Sequence, residues 1–255
     1  VDAGGGGAGG AHIGDRVLAP ALWDRGVRRL DALIVTHADP DHIGGARSLI
    51  RDFSPDHLWT GISVRGHAES EALAQAARRA GTAIGSLTAR STLTLVGATM
   101  RVLHPPAADW ERPRVRNDDS LVIEVRYGDV AMLLTGDIGE DVEREIAPNL
   151  RPARLRVLKV AHHGSRTSTS QVLLDAWRPH VALVSAGRGN AFGHPTREVL
   201  ARLEEAGALV LRTDLEGEVT VETDGRALSY RTWRHPTPAL VHSTQETSPA
   251  PAPSK

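Results

Sequence analysis

Three short apolar runs in this chain of 255 residues lead straight into histidine or aspartate: LIVT into HADPDH at 37–42, MLLTG into Asp137, and LKVA into His162 and His163. Runs this short and this rich in Val, Ile and Leu read as buried strands. A strand end fixes the backbone while the residues beyond it stay free to point into a cleft, which is how rigid scaffolds position site residues. His194 makes a fourth case, following the strand VALVSAG and a glycine-rich loop. Composition alone does not produce four strand ends of this kind.

The remaining pattern sets the fold class. Strands are expected at 30–37, 56–62, on both sides of a Gly-Ala turn within 92–105, at 155–165, 181–187, 209–214 and 218–233. Residues 120–137 read as a hairpin turning at Gly128-Asp129. Helical periodicity with glycine stops covers 15–27, 69–81 and 196–207, with further helices opening near 43, over 139–147 and over 168–177. Hairpins mixed with strand-helix alternation fit an α/β chain of two sheets with helices packed outside them better than one doubly wound sheet. Residues 1–233 are expected to form one domain. From 234 to 255 the chain is rich in Pro, Ser, Thr and Ala and reads as a disordered tail. The start, VDAGGGGAGG, reads as a strand end entering a glycine turn, as in a piece of a longer protein.

Composition narrows the chemistry. The chain has no cysteine, so a metal must be held by His, Asp, Glu or Asn, and disulfides are excluded. Twelve histidines supply the material. A net charge of −1 gives no global basic field, although 112–116 and 151–159 are local basic runs. No stretch approaches the roughly 20 apolar residues that span a bilayer.

Taken singly, each motif has a plain structural reading: His-x-Asp as an Asx turn, Asp137 as a helix cap, His-His before Gly-Ser as surface. Together, each after a strand, they follow the logic of a dinuclear metal site. Two cations need a bridging carboxylate and a water held between them, whose pKa falls from about 15.7 toward about 7. His37 and Asp39 would serve one ion, Asp41 and His42 the other. Asp137 would bridge, and a histidine of HHGS would complete the ligand shell of the second ion. His162, immediately after the strand, is the better placed of the pair, with His163 behind it.

These residues resemble the metallo-β-lactamase superfamily, and within it the C-terminal domain of ComEC-type DNA-internalization competence proteins. The resemblance rests on VDAG at 1–4, THADPDHIGG at 36–45, NDDSLV at 117–122, LLTGDI at 133–138, LKVAHHGSRTS at 158–168 and GRGNAFGHP at 187–195. It implies an αββα sandwich with a two-metal cleft on one edge, lacking the first one or two strands that normally precede VDAG. It also implies a metal-dependent hydrolase, here a nuclease that degrades the non-transported DNA strand, with Asp41 and His194 as catalytic candidates. The implied partners are DNA, expected single-stranded, and an upstream membrane channel domain of the same protein. That would put the domain at the extracytoplasmic face of the membrane.

Two departures bear on the site. The usual second histidine is Asp39 here, and a carboxylate hardens the site, tilting it from Zn toward Mn or Mg, with Mn preferred. The first ion also lacks an obvious third ligand, leaving His104, Asn117 and Asp118 as candidates. On the substrate side, Ser165 and Arg166 precede an expected helix start that offers N–H groups to a phosphate. Asn117, Asn190 and His194 are further contacts, His194 as phosphate binder or proton donor. The competing functions are a small-molecule ester, lactone or phosphoester hydrolase on the same site, and a non-catalytic metal-stabilised module. With two Phe and two Tyr there is little to line a deep apolar pocket.

Overall fold

A computed structural model describes residues 1–5, 13–106 and 111–242. Strands β1 (Ala32–Val35), β2 (His57–Thr60) and β3 (Ala83–Ser86) form a parallel sheet in that order. A larger sheet runs through β4 (Thr92–Leu95), β5 (Ala98–His104), β6 (Val122–Tyr127), β7 (Val130–Leu134), β8 (Leu155–Lys159), β9 (Val181–Val184) and β10 (Leu209–Arg212). Its β4–β7 half is antiparallel and its β7–β10 half parallel. A third, antiparallel sheet contains β11 (Val219–Thr223), β12 (Leu228–Thr232) and β13 (Ala239–Val241).

The period-2 alternation of strand side chains assigns the layers. On β7, Ala131 and Leu133 pack with Trp177, Leu173 and Leu203 of the helices Gln171–Trp177 and Arg197–Glu205. Val130 and Met132 face the other way, onto Leu228, Val219 and Tyr230 of the third sheet. Further along the same face, Ile123, Val102 and Met100 meet Ile34 and Trp59 of the small parallel sheet. The small sheet's outer side, Leu33 and Val35, is covered by Leu49, Ile50 and Phe53 of the helix Ala46–Phe53 and by Leu73 and Ala77 of the helix Ala68–Ala80. The result is an αββα sandwich. The layer facing the seven-stranded sheet is two separate three-stranded sheets, where the sequence pattern suggested one.

Several boundaries differ from the sequence reading. The short strand β3 was not expected, because AIGS is largely exposed and carries no apolar alternation. The helix expected over 168–177 begins at Gln171. The tail expected from 234 still contains β13, which pairs with β12 through Leu228↔Val241 and Tyr230↔Ala239. The apolar run ALV supplies an edge strand that composition hides among prolines. The rest of the expected tail, from 243 on, lies outside the described residues.

Because β7, β8 and β9 are parallel, their C-terminal ends share one sheet edge. The C-terminal end of β1 meets that edge through the Leu121 N–H, which donates to the Thr36 carbonyl at 2.9 Å. Every ligand candidate therefore emerges where the two layers touch. No helix among the described residues is long and apolar enough to cross a membrane.

Candidate metal centre

The loop after β1 turns into a one-turn helix, Pro40–Ile43, whose cap residue Asp39 makes no capping bond with its side chain. That leaves the Asp39 carboxylate free to lie 3.3 Å from His37 Nε2. His42, on the same short helix, brings its ring within 4.2 Å of the His37 ring, centroid to centroid. After β7, Gly136 takes φ +53°, and a Cβ there would fall 2.6 Å from Ser120 Cβ. Only glycine allows the chain to turn this tightly, and the turn delivers Asp137, whose N–H donates to Ser120 Oγ at 3.1 Å. After β8, His162 and His163 both adopt left-handed backbone, φ 47° and 54°, a strained geometry for side-chain-bearing residues.

Asp41, His42, Asp137 and His163 converge, each offering a ligand atom within 4.8 Å of the others, the one such group of His, Asp and Glu ligand atoms among the described residues. Asp137 presents Oδ1 to His42 Nε2 at 3.2 Å and Oδ2 to His163 Nε2 at 3.4 Å. His163 Nε2 also lies 3.2 Å from Asp41 Oδ2. Each carboxylate oxygen of Asp137 thus faces a different imidazole.

The outer nitrogens explain the orientation. His42 Nδ1 donates to Asp2 Oδ2 at 2.8 Å, and His163 Nδ1 donates to the Ser185 carbonyl at 2.7 Å. His37 Nδ1 lies 3.1 Å from the Thr36 hydroxyl, which donates to Asp2 Oδ2 at 3.0 Å. With Nδ1 carrying the proton, Nε2 of all three rings is a lone-pair donor, the tautomer that metal-binding histidines adopt. His37 Nε2, His42 Nε2, His163 Nε2 and Asp137 Oδ1 are buried atoms without a hydrogen-bond partner. Buried polar atoms left unpaired in one cluster, His42 Nε2, His163 Nε2 and Asp137 Oδ1, with His37 Nε2 nearby, would be costly unless a cation joins them. The residues present therefore fit a divalent metal.

Electrostatics agree. Burial alone would push His42 down, but the Asp137 and Asp2 carboxylates raise it to about 10. His163 is likewise raised to about 9, burial being outweighed by Asp137 and Asp41. Asp137 is held well below the usual carboxylate range, because His163 and His42 outweigh its burial. Asp41 is lowered by the His163 ring beside it, with help from His42, which together outweigh its burial. The cluster is an anionic cage that draws positive charge, first protons and then a metal.

The other expected residues are placed as follows. His162, the histidine preferred from the sequence, does not reach the cage. Asn117 Nδ2 donates to its Nε2 at 3.0 Å, and its ring stands edge-on to His194, 5.8 Å between centroids. The left-handed turn, invisible in the sequence, exchanges the two histidines, so His163 is the one aimed at Asp137. His104 spends Nε2 on the Asp118 carbonyl at 2.8 Å, and Asp118 Oδ1 accepts from the Gly139 N–H at 2.8 Å. Both thus brace the turns around the site. Ser165 is buried, 3.2 Å from the Thr167 hydroxyl, while Arg166 is exposed. The N–H groups expected to hold a phosphate are used internally: Thr169 and Ser170 donate to buried Glu143, and Leu173 donates to Ser170 Oγ. Asn190 braces its own loop, accepting from the His194 N–H at 3.0 Å and donating to the His194 carbonyl at 2.6 Å. Burial first, then His162 and His163, push His194 below the ordinary imidazole value.

Asp2 and Thr36 went unnoticed as site residues. VDAG and THADPDH flag them as neighbours of a motif, but nothing local shows that a carboxylate at position 2 orients a histidine at position 42.

Comparison with known proteins follows the same lines. The family model described as the metallo-beta-lactamase superfamily matches residues 1–188. The chain is 36% identical over 207 residues to ComE operon protein 3 of Bacillus subtilis (strain 168), covering 81% of this chain and 26% of that protein. It is 34% identical over 205 residues to competence protein ComA of Neisseria gonorrhoeae, covering 78% and 26%. It is 32% identical over 212 residues to recombination protein 2 of Haemophilus influenzae (strain ATCC 51907 / DSM 11121 / KW20 / Rd), covering 83% and 24%. The chain thus spans about a quarter of the length of these curated relatives.

Proposed function

Since the chain belongs to the metallo-beta-lactamase superfamily, a group of metal-dependent hydrolases, and is related to competence proteins, we propose that it is a nuclease that cleaves phosphodiesters of single-stranded DNA. The observation that carries this reading is that His42 Nε2 and His163 Nε2 face the two carboxylate oxygens of Asp137, each ring set by a hydrogen bond at its other nitrogen, with His37 Nε2 against Asp39 beside them. His42, His163, Asp41 and Asp137 would hold one divalent ion, and His37, Asp39 and the bridging Asp137 a second. Mn is preferred, with Mg or Zn as alternatives, because the Asp39 carboxylate makes the donor set harder. Bound there, such ions supply an activated water and neutralise charge on a phosphate.

The chain's own residues do the rest. Asp137 stays ionised and keeps the two halves of the centre in register. Asp41, half-exposed at the mouth, orients His163 and borders the place where substrate enters. His194, kept neutral by burial and by its histidine neighbours, offers an N–H hydrogen bond to a phosphate oxygen, a role its lowered pKa supports better than general acid. Asn117 and Asn190 act through His162 and His194. Ser165 shapes the loop that carries Arg166. Arg114, Arg116 and Arg166 are exposed and track the phosphate backbone, a weak and salt-sensitive grip suited to a polymer. In the longer relatives the remaining three quarters of the protein would include a membrane channel, with this domain on its extracytoplasmic face acting on the strand that is not transported.

The test is cleavage of end-labelled single-stranded DNA with Mn, Mg or Zn, comparing wild type with Asp41→Ala and Asp137→Asn. Metal-dependent cleavage that drops by at least a hundredfold in both variants is the expected outcome. Metal-loaded wild type that leaves DNA intact would overturn the reading.

One observation favours a second reading, a small-molecule ester, lactone or phosphoester hydrolase. A cavity of about 470 Å³ opens beside His37, lined among others by Leu58, Thr60, Ser70, Leu73 and Arg78. Turnover of aryl esters or lactones without DNA cleavage would select it.

A further inference from the structure

The chain is poor in aromatic residues, with two Phe, two Tyr and five Trp. Phe53 lies in the core, but Phe192 is 81% exposed. Burying a phenylalanine side chain is worth roughly 1.5–3 kcal/mol, so a fold that leaves one in water forgoes that gain. Phe192 stands on the 185–194 loop, which carries His194 to the metal centre. The loop is not slack: Asn190 closes it through both ends of its amide, on the Gly187 and His194 carbonyls and the His194 N–H. Gly164, beside His163, accepts from the Thr196 N–H at 2.9 Å, which ties the base of the loop to the HHGS turn.

The Phe192 ring lies nearly parallel to the His194 ring, 22° between planes and 5.9 Å between centroids. His194 in turn meets His162 edge-on, and His162 is the neighbour of His163 in the cage. A ladder of three rings therefore leads from the metal centre to an exposed aromatic face. A flat, solvent-exposed ring at the rim of a phosphate-cleaving centre is what an unpaired base stacks on, because every base has a π-face and stacking needs no sequence readout. A duplex cannot use such a platform, since its bases already stack on each other.

We propose that Phe192 is a stacking platform for an unpaired nucleobase beside the scissile phosphate, and that it makes the centre prefer single strands over duplex. This inference rests on the nuclease reading above and names the feature that selects its substrate. Arg166, exposed on the HHGS turn, and Arg188, exposed on the Phe192 loop itself, would hold the phosphates beside that base.

The experiment uses fluorescence anisotropy with a labelled oligo(dT), its duplex and an abasic strand of equal length, in chelator so that nothing is cut. Phe192→Ala is expected to weaken oligo(dT) binding roughly 5- to 150-fold, the range that loss of one base–aromatic stack produces. Phe192→Trp should restore it. Binding of the duplex and of the abasic strand, which offers phosphates without bases, should not change. In metal, Phe192→Ala should raise KM for single-stranded DNA while kcat holds. Wild-type binding to oligo(dT) with no loss in Phe192→Ala would overturn the platform and leave the nuclease reading intact. That result would point to a protein partner covering Phe192. An equal loss on the abasic strand would also overturn it, by showing that the effect runs through the loop's hold on phosphate. Wild type that binds no single strand at all would overturn both.

Discussion

His162 and His163 are adjacent, chemically identical and both in left-handed backbone, yet only His163 faces Asp41 and Asp137. The difference lies in their partners: His163 Nδ1 is anchored on the Ser185 carbonyl, while His162 Nε2 is taken by Asn117. His163→Ala is therefore expected to lose metal from its site, read as stoichiometry by plasma mass spectrometry after dialysis. His162→Ala should keep its metal and lose activity only. Equal metal content in the two variants would refute this assignment. The same cage predicts a pH dependence. His42 keeps its proton to about 10 and His163 to about 9 in metal-free protein, and a metal must displace both. Apparent metal affinity should rise with pH by about a hundredfold per unit near neutrality, then flatten as the pH passes through those values. The sign for stability is opposite. Both folded values lie above the ordinary 6.5, so their contribution in metal-free protein is complete below 6.5 and is lost as the pH rises through 9 and then 10. Calorimetric titration in buffers of different ionisation enthalpy counts the protons, and uptake at pH 7 with none released would contradict the cage.

Among the elements, strands of the large sheet were easy to read from their apolar runs because both faces are buried, as in β8 with Leu155, Val157 and Leu158. The edge strands β3 and β13 were not, since an edge strand needs one partner and little burial, and the partner comes from elsewhere in the chain. Helices with a full apolar stripe, such as Ala68–Ala80 ending at Gly81, were legible for the same reason as the buried strands. The helix Gln171–Trp177 shows where packing enters. Trp177 is fully buried against the parallel half of the large sheet, and its indole N–H donates to the Val157 carbonyl at 3.1 Å. Trp177→Ala should cost about 3–5 kcal/mol in chemical denaturation, through the cavity and the orphaned carbonyl. A cost below 1 kcal/mol would mean that the helix is not seated on the sheet in this way.

Across the molecule, the centre joins two layers. His37, Asp39, Asp41 and His42 come from the small-sheet side, Asp137 and His163 from the large sheet. A bound metal would therefore staple the layers and bind only the folded state. At a free metal concentration a hundred times Kd, about 2.7 kcal/mol of added stability is expected, or roughly 5–10 °C in Tm for a domain of this size. Differential scanning calorimetry with and without chelator measures it, and an unchanged Tm at saturating metal would argue against a centre shared between layers.

The apolar runs, their order and the polar residues that end them are local properties of the chain. Periodicity of two or 3.6 and the residue types at strand ends therefore indicate two sheets with helices outside them and the Asp41, His42 and Asp137 candidates, while the motifs carry the family resemblance that implies the αββα sandwich. The choice of His163 over His162, the orienting of His42 by Asp2 across 40 positions, the capture of His104 by the Asp118 carbonyl and the division of the second layer into two sheets could not be read in that way. Each depends on which distant groups are brought within hydrogen-bond reach, and such directional contacts form only once strands and turns have packed. A neighbour-by-neighbour pattern carries no information about them.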